Sequence, residues 1–155
     1  VLEDLLDTFN VKRDIALEFG VEYGYSTVAL SNFFKIVIGV DTFEGDQNTL
    51  VRPPDFAEEV RALVSPYGNI HLVTSTWEKW AQVDDRDYDL IHIDMDHTYD
   101  QTFISGVWAT LHAPVVLFHD TESFPSVKKA CKEIADGTGK KFYNWPQCYG
   151  LGIIA

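Results

Sequence analysis

The chain has 155 residues, with 24 Asp and Glu against 12 Lys and Arg, giving a formal net charge of −12. That length fits one domain able to bury a sizeable core, and a hydrophobic fraction of 46% with 14% aromatics excludes disorder. The acidic balance excludes a general nucleic-acid binder and adsorption to anionic membranes, because both depend on clustered Lys and Arg.

Apolar runs alternate with helical patterns from end to end. Ile15–Val21 is a short apolar run that closes on a Gly-rich turn, and Ser26–Phe34 reads as a helix. Lys35–Val40 is a β-branched strand that ends at Asp41. Asp55–Val64 is helical, Asn69–Thr74 is extended and Trp77–Val83 is a short helix. Tyr88–Ile93 is a strand ending at Asp94, Thr98–Leu111 a helix, and Pro114–Phe118 a strand ending at His119-Asp120. Pro125–Asp136 is a helix with Gly137 and Gly139 as stop signals, and Lys141–Tyr143 and Leu151–Ile154 close the pattern as strands. No repeat or linker interrupts it, so residues 1–155 read as one α/β domain with a parallel sheet covered on both faces.

No apolar run reaches the ~18 residues of a membrane span, and no signal-peptide pattern opens the chain. Cys131 and Cys148 form neither a metal spacing nor a CxxC. These features lead to the expectation of a reduced, cytoplasmic protein. The first residue is Val1 rather than Met, so some N-terminal sequence is expected to be missing.

Sheets of this kind bind ligands beyond the carboxyl ends of their strands. Here those ends carry Glu18 to Thr27, Asp41, Ser75-Thr76, Asp94 to His97, and His119 to Thr121. Four of the five place an acid at or near the exit, which is the first functional signal. In the first turn, Gly20 and Gly24 permit unusual backbone angles and close ligand approach, and Ser26 or Thr27 can cap the next helix. Asp41 lies 21 residues past Gly20, where an acid accepts ribose hydroxyls. The dinucleotide fingerprint is not met, because the residue two after Gly20 is Glu22. Its carboxylate would repel a pyrophosphate and suit an ammonium or sulfonium. The turn therefore points to a positively charged nucleoside cofactor without phosphates, a description that S-adenosylmethionine fits.

The run Glu18-x-Gly20-x-x-x-Gly24-Tyr25-Ser26-Thr27, followed by an acid ending strand two, resembles the class I S-adenosylmethionine-dependent O-methyltransferases. It is most similar to their catechol O-methyltransferase-like, metal-dependent branch. Ile93-Asp94-Met95-Asp96-His97-Thr98-Tyr99 is also similar to the I-D-G-D-H-S-Y segment of small methyltransferase-domain proteins. The resemblance covers Ile15 to Ile154 and implies a single Rossmann-like, doubly wound, mostly parallel seven-stranded sheet.

It also implies roles. Glu18 and Gly20 would meet the methionine end of the cofactor, with Glu22 beside its positive charge. Gly24 would allow backbone approach, and Ser26 would contact the cofactor carboxylate. Asp41 would hold the ribose, Thr42 and Phe43 would flank the adenine, and Thr76 and Trp77 would meet its edge, although Trp77 reads equally as core. Asp94 closes the cofactor site and stands in the place of the first metal-binding Asp. Asp120 stands in the second, and Thr121 where the family has Asn. Two carboxylates with a neutral oxygen suit Mg²⁺ or another divalent cation. His97 replaces the family's catalytic Lys, and His119 is a second candidate base or ligand. If both His join the acids, Mn²⁺, Fe²⁺ or Zn²⁺ is favoured. A plainer reading makes His97 a helix cap.

Other residues read as structural. His71 and His92 lie inside strands, and His112 lies in a connection. Trp80, Trp108 and Trp145 read as packing aromatics, Asp84 to Asp87 as a solvated loop, and Cys131 as a small buried hydrophobe. Thr42–Pro54, with Glu44, Asp46 and Arg52, is long enough for a lid, with disorder as the equal alternative.

The expected reaction is methyl transfer from S-adenosylmethionine to a hydroxyl of a small-molecule acceptor, with no nucleic acid and no membrane as partner. Fourteen residues precede the first strand, so the acceptor site is open, completed by a second subunit of a homo-oligomer, or shaped by missing N-terminal residues. The rival readings are a catalytically silent nucleoside-binding module and a metal-dependent hydrolase or oxygenase built on the His/Asp cluster.

Overall fold

A computed structural model describes residues 2–45 and 51–155. Seven strands form one sheet: β1 (Ile15–Phe19), β2 (Ile36–Asp41), β3 (Ile70–Thr74), β4 (Leu90–Ile93), β5 (Val115–His119), β6 (Phe142–Trp145) and β7 (Leu151–Ile154). Their order is β3-β2-β1-β4-β5-β7-β6. The first five are mutually parallel, and β7 runs antiparallel to both β5 and β6. The helices are α1 (Leu2–Thr8), α2 (Tyr25–Ser31), α3 (Phe56–Val64), α4 (Trp77–Val83), α5 (Tyr99–His112) and α6 (Pro125–Thr138). The seven-stranded, mostly parallel sheet expected from the resemblance is therefore present.

The central strands β1, β2, β4 and β5 form where the sequence is mostly apolar, because both of their faces are covered. All four residues of β4 are buried. On one face, Leu17, Phe19, Ile91 and Phe118 pack with Ile134 of α6 and the edges of Trp77 and Trp108. On the other, Ala16, Val37, Leu90 and Leu117 pack with Leu30 of α2 and Leu5 and Leu6 of α1. A third cluster joins Val21 and Phe43 to Phe56, Val60 and Val64 of α3. Burial at this density contributes about 1.5–3 kcal/mol for each large side chain.

Two local outcomes differ from expectation. The helix α1 had no reading from sequence, since seven residues are too few for a periodicity to show; Leu2, Leu5 and Leu6 form its apolar stripe. The cap of α2 is Gly24, in a left-handed conformation, and no side chain caps this helix. Ser26 and Thr27 lie inside α2, and the Thr27 hydroxyl is committed to Glu18. Among the described residues, no helix is long and apolar enough to cross a membrane.

Candidate active site

The register brings the carboxyl ends of β1 to β5 to one edge, and a cleft of about 820 Å³ opens there. That volume lies within the ordinary range for small-ligand sites. Its backbone is unusual. Glu22, Phe43, Asp120 and Tyr149 all line it and all have positive φ, at 49°, 59°, 63° and 70°. Such conformations cost about 1–3 kcal/mol each and concentrate where function demands them.

One end of the cleft is built on the Gly20 turn and Asp41. Gly20 has φ +88°, and a Cβ there would lie 1.8 Å from the Asp94 carbonyl oxygen. Only glycine lets the β1 turn cross the exit of β4. Asp41 fixes this turn from the side: its Oδ2 accepts from the amides of Val21 at 2.7 Å and Glu22 at 2.9 Å, and its Oδ1 accepts from Phe43 at 2.7 Å. Thr42 and Ser26 line the cleft, and Phe43 is buried against Phe56, 6.5 Å between ring centroids. Thr76 caps α4 by accepting from the Lys79 amide, and Trp77 lines the cleft with Nε1 donating to Gln101 at 2.8 Å.

Three expectations at this end are corrected. Gly24 does not line the cleft; its missing side chain makes room for Val64, 3.0 Å from a Cβ built there. Glu22 does line it, but its carboxylate already pairs with the chain's own Arg52. The Arg52 guanidinium is held 4.7 Å over the Tyr23 ring and 4.9 Å over Phe56. Glu18 is fully buried beneath the cleft rather than facing it. It accepts from the Thr27 hydroxyl and bonds His92 Nδ1 at 2.8 Å. The amide of Arg52 donates to the Glu44 carbonyl at 3.4 Å, anchoring the far end of the long loop; Asp46 lies outside the described residues.

The other end carries ionisable side chains. His97 Nε2 lies 3.0 Å from Asp120 Oδ2 and 3.7 Å from Asp94 Oδ1. The ring is stacked on Phe124, 4.2 Å between centroids at 14°. His119 Nδ1 lies 3.2 Å from Asp120 Oδ1 and 3.6 Å from Asp94 Oδ1. Burial opposes charge on Asp94, but the neighbouring His97, His92 and His119 imidazoles hold its pKa below the usual carboxylate value.

Asp94, His97 and Asp120 each present a ligand atom, all within 4.8 Å of one another. Two carboxylates and one imidazole suit a divalent cation of borderline hardness, so the donor set fits Mn²⁺, Fe²⁺ or Zn²⁺ better than Mg²⁺. Thr121 does not join them. It is buried, and its hydroxyl donates to Asn144 Oδ1 at 2.7 Å, so its expected place as a side-chain oxygen ligand is corrected to His97.

The sequence reading missed His92. In the sequence it reads as a core or sheet-face residue inside a strand, and it also lines the cleft. Burial disfavours its charge, while the hydrogen bond and charge of Glu18, together with Asp94, raise its pKa. The available signal was a polar side chain inside a strand buried on both faces, since such a group requires a partner.

A mostly parallel seven-stranded sheet of this order, closed by the antiparallel β6–β7 hairpin, is the class I S-adenosylmethionine-dependent methyltransferase fold. A family model described as "Methyltransferase domain" matches residues 17–121, and the chain belongs to that family. Comparison with curated proteins gave no match. Among solved structures, the chain is similar to a Streptococcus mutans protein assigned as a methyltransferase and bound to SAH, with TM-score 0.70 and 12% identity over 98% of this chain and 96% of that one. It is similar to a Staphylococcus aureus protein assigned as a caffeoyl-CoA O-methyltransferase, with TM-score 0.69 and 16% identity over 99% and 79%. It is also similar to Aeropyrum pernix fibrillarin with natively bound S-adenosyl-L-methionine, with TM-score 0.64 and 15% identity over 94% and 68%. At these identities the likeness shows the fold.

Proposed function

We propose that this methyltransferase uses S-adenosylmethionine to methylate a hydroxyl oxygen of a small acceptor, with His97 as the base. The observation that carries the reading is one cleft holding both the Gly20–Asp41 corner and the His97–Asp120 pair. The structures that resemble this chain include proteins bound to S-adenosyl-L-methionine and to SAH, which supports the choice of cofactor.

S-adenosylmethionine, when bound, supplies a methyl group on a sulfonium that is open to attack by an oxygen. Asp41, its carboxylate already oriented by three amides, has one lone pair left, on Oδ1, for a ribose hydroxyl. Gly20 and Ser26 border the adjoining part of the cleft, and Phe43 and Trp77 offer apolar surface for a base. At the far end, His97 takes the acceptor's hydroxyl proton as the oxygen–carbon bond forms and the sulfonium–methyl bond breaks. Asp120 and Asp94 stabilise the resulting imidazolium, and the Phe124 stack holds the ring in place.

A divalent cation held by Asp94, His97 and Asp120 would instead lower the pKa of the acceptor hydroxyl, leaving His119 as the adjacent base. The 4.8 Å donor cluster favours keeping this second reading. A net charge of −12 supports a small molecule over a nucleic acid as acceptor.

The test is formation of S-adenosylhomocysteine from S-adenosylmethionine with a panel of phenol, sugar and aliphatic hydroxyl acceptors. His97→Ala is expected to lower turnover by about 10²–10⁴-fold with cofactor affinity retained. Cofactor binding without turnover on any acceptor would favour a silent binding module, and full turnover in His97→Ala would remove the base.

A further inference from the structure

Beneath the cleft lies an ionisable pair that neither the ribose acid nor the base explains. Glu18 on β1 is 0% exposed, and His92 stands directly beside it on β4 in the parallel register. Fully buried carboxylates are rare and need partners. Glu18 has two, with one oxygen accepting from Thr27 and the other bonded to His92 Nδ1 at 2.8 Å. A carboxylate there fixes the ring's orientation by accepting from Nδ1–H, which leaves Nε2 as the atom available to a ligand. His92 is 6% exposed and borders the cleft, and Nε2 has no hydrogen-bond partner among the described residues while not being sealed from the cleft.

The sheet order gives this atom its place. Asp41 ends β2, and β1 and then β4 follow across the sheet. Two strand spacings separate them, about 10 Å. A nucleoside with its ribose at Asp41 sends its 5′ substituent over β1, where Gly20 presents no side chain, toward β4 and His92. In S-adenosylmethionine that substituent ends in the charged amino acid.

We propose that His92, oriented by Glu18, hydrogen-bonds the amino-acid end of the cofactor. Glu18 is then a positioning residue that acts through His92 and does not itself touch the ligand. The inference rests on the S-adenosylmethionine reading, so its test uses two probes. S-adenosylhomocysteine carries the amino acid; 5′-methylthioadenosine keeps the nucleoside and lacks it.

Calorimetry on the full chain with both probes separates the possibilities. His92→Asn keeps a donor for Glu18 and loses the cleft atom. It is expected to weaken S-adenosylhomocysteine about tenfold, the scale of one hydrogen bond to a charged group, and to leave 5′-methylthioadenosine unchanged. His92→Gln, whose amide reaches further, is expected to recover part of the loss. Glu18→Gln is expected to weaken S-adenosylhomocysteine alone, with rescue of neither probe needed to show that the chain is folded. Unchanged S-adenosylhomocysteine affinity in His92→Asn overturns the proposal. Equal weakening of both probes also overturns it, since that marks a merely structural residue. If the unsubstituted protein binds 5′-methylthioadenosine but gains nothing from the amino acid, the inference fails and the nucleoside reading stands. If it binds neither, the cofactor reading fails and takes the inference with it.

Discussion

Replacing Asp41 with Asn should damage both the fold of the Gly20 turn and the binding of the nucleoside. The carboxylate receives three backbone amides, two on Oδ2 and one on Oδ1. An Asn side chain can keep its oxygen on the Val21 and Glu22 pair, but its NH₂ then faces the Phe43 N–H, donor against donor. One charge-assisted bond is lost, about 1.5–3 kcal/mol. At roughly 2–4 °C per kcal/mol for a chain of this size, the melting temperature falls by about 3–12 °C. The ribose also loses a charged acceptor, so S-adenosylhomocysteine affinity falls about 10- to 100-fold. Scanning calorimetry and titration calorimetry measure the two effects separately. Asp41→Ala, which abandons all three amides, should cost more in stability than Asp41→Asn. A melting temperature within 1–2 °C of the parent, roughly the shift from half a kcal/mol, together with undiminished affinity, would show that Asp41 neither braces the turn nor meets the ligand.

Gly20→Ala drives a Cβ into the Asp94 carbonyl at a left-handed backbone position; the expected cost is about 3 kcal/mol or more, read as a melting shift with loss of S-adenosylhomocysteine binding, and normal binding would refute the crossing. Asp84 is buried, accepts from the Tyr88 hydroxyl and pairs with Arg86 at 2.7 Å. Burial opposes its charge, but these hydrogen bonds hold its pKa below the ordinary value. Its stabilisation is therefore complete above about pH 4, the ordinary aspartate value, and fades as pH falls through the lower folded pKa. Asp84→Asn should lower stability at neutral pH by about 1–3 kcal/mol and flatten the acid limb of melting temperature against pH; an identical limb would contradict this. Manganese titration followed by electron paramagnetic resonance should show one site that Asp120→Asn weakens, and no manganese binding at millimolar concentration would leave His97 acting without a metal.

The sheet and the Gly20–Asp41 corner were legible because they depend on local signals. Continuous apolar strands, the spacing from Gly20 to Asp41 and the acids at strand exits all lie along the chain. What was not legible depends on which strands pair. Glu18 and His92 are 74 residues apart and become one unit only in the β1–β4 register. Thr121 read as a ligand because it follows Asp120, but its partner Asn144 comes from β6, 23 residues on. Glu22 read as awaiting a cationic ligand, while Arg52, 30 residues away, already supplies the cation. Asp84 read as solvated because three acids share its loop, and only the fold places Tyr88 over it.

The turn between β6 and β7 has a consequence for how this chain can diversify. The Tyr149 carbonyl accepts from the amides of Glu122 at 2.8 Å and Ser123 at 3.2 Å, and the Gly150 carbonyl from Thr121 at 3.4 Å. These main-chain contacts brace the turn that carries Asp120, and they require glycine at Gly150, where a Cβ would lie 2.5 Å from the Glu122 amide nitrogen. The Tyr149 side chain, 72% exposed, meanwhile stands at the mouth of the cleft. Support for the reacting groups is thus carried by the backbone, and the wall facing an acceptor by side chains. New acceptor preferences can arise by substitution at Tyr149 without disturbing the machinery the hairpin supports.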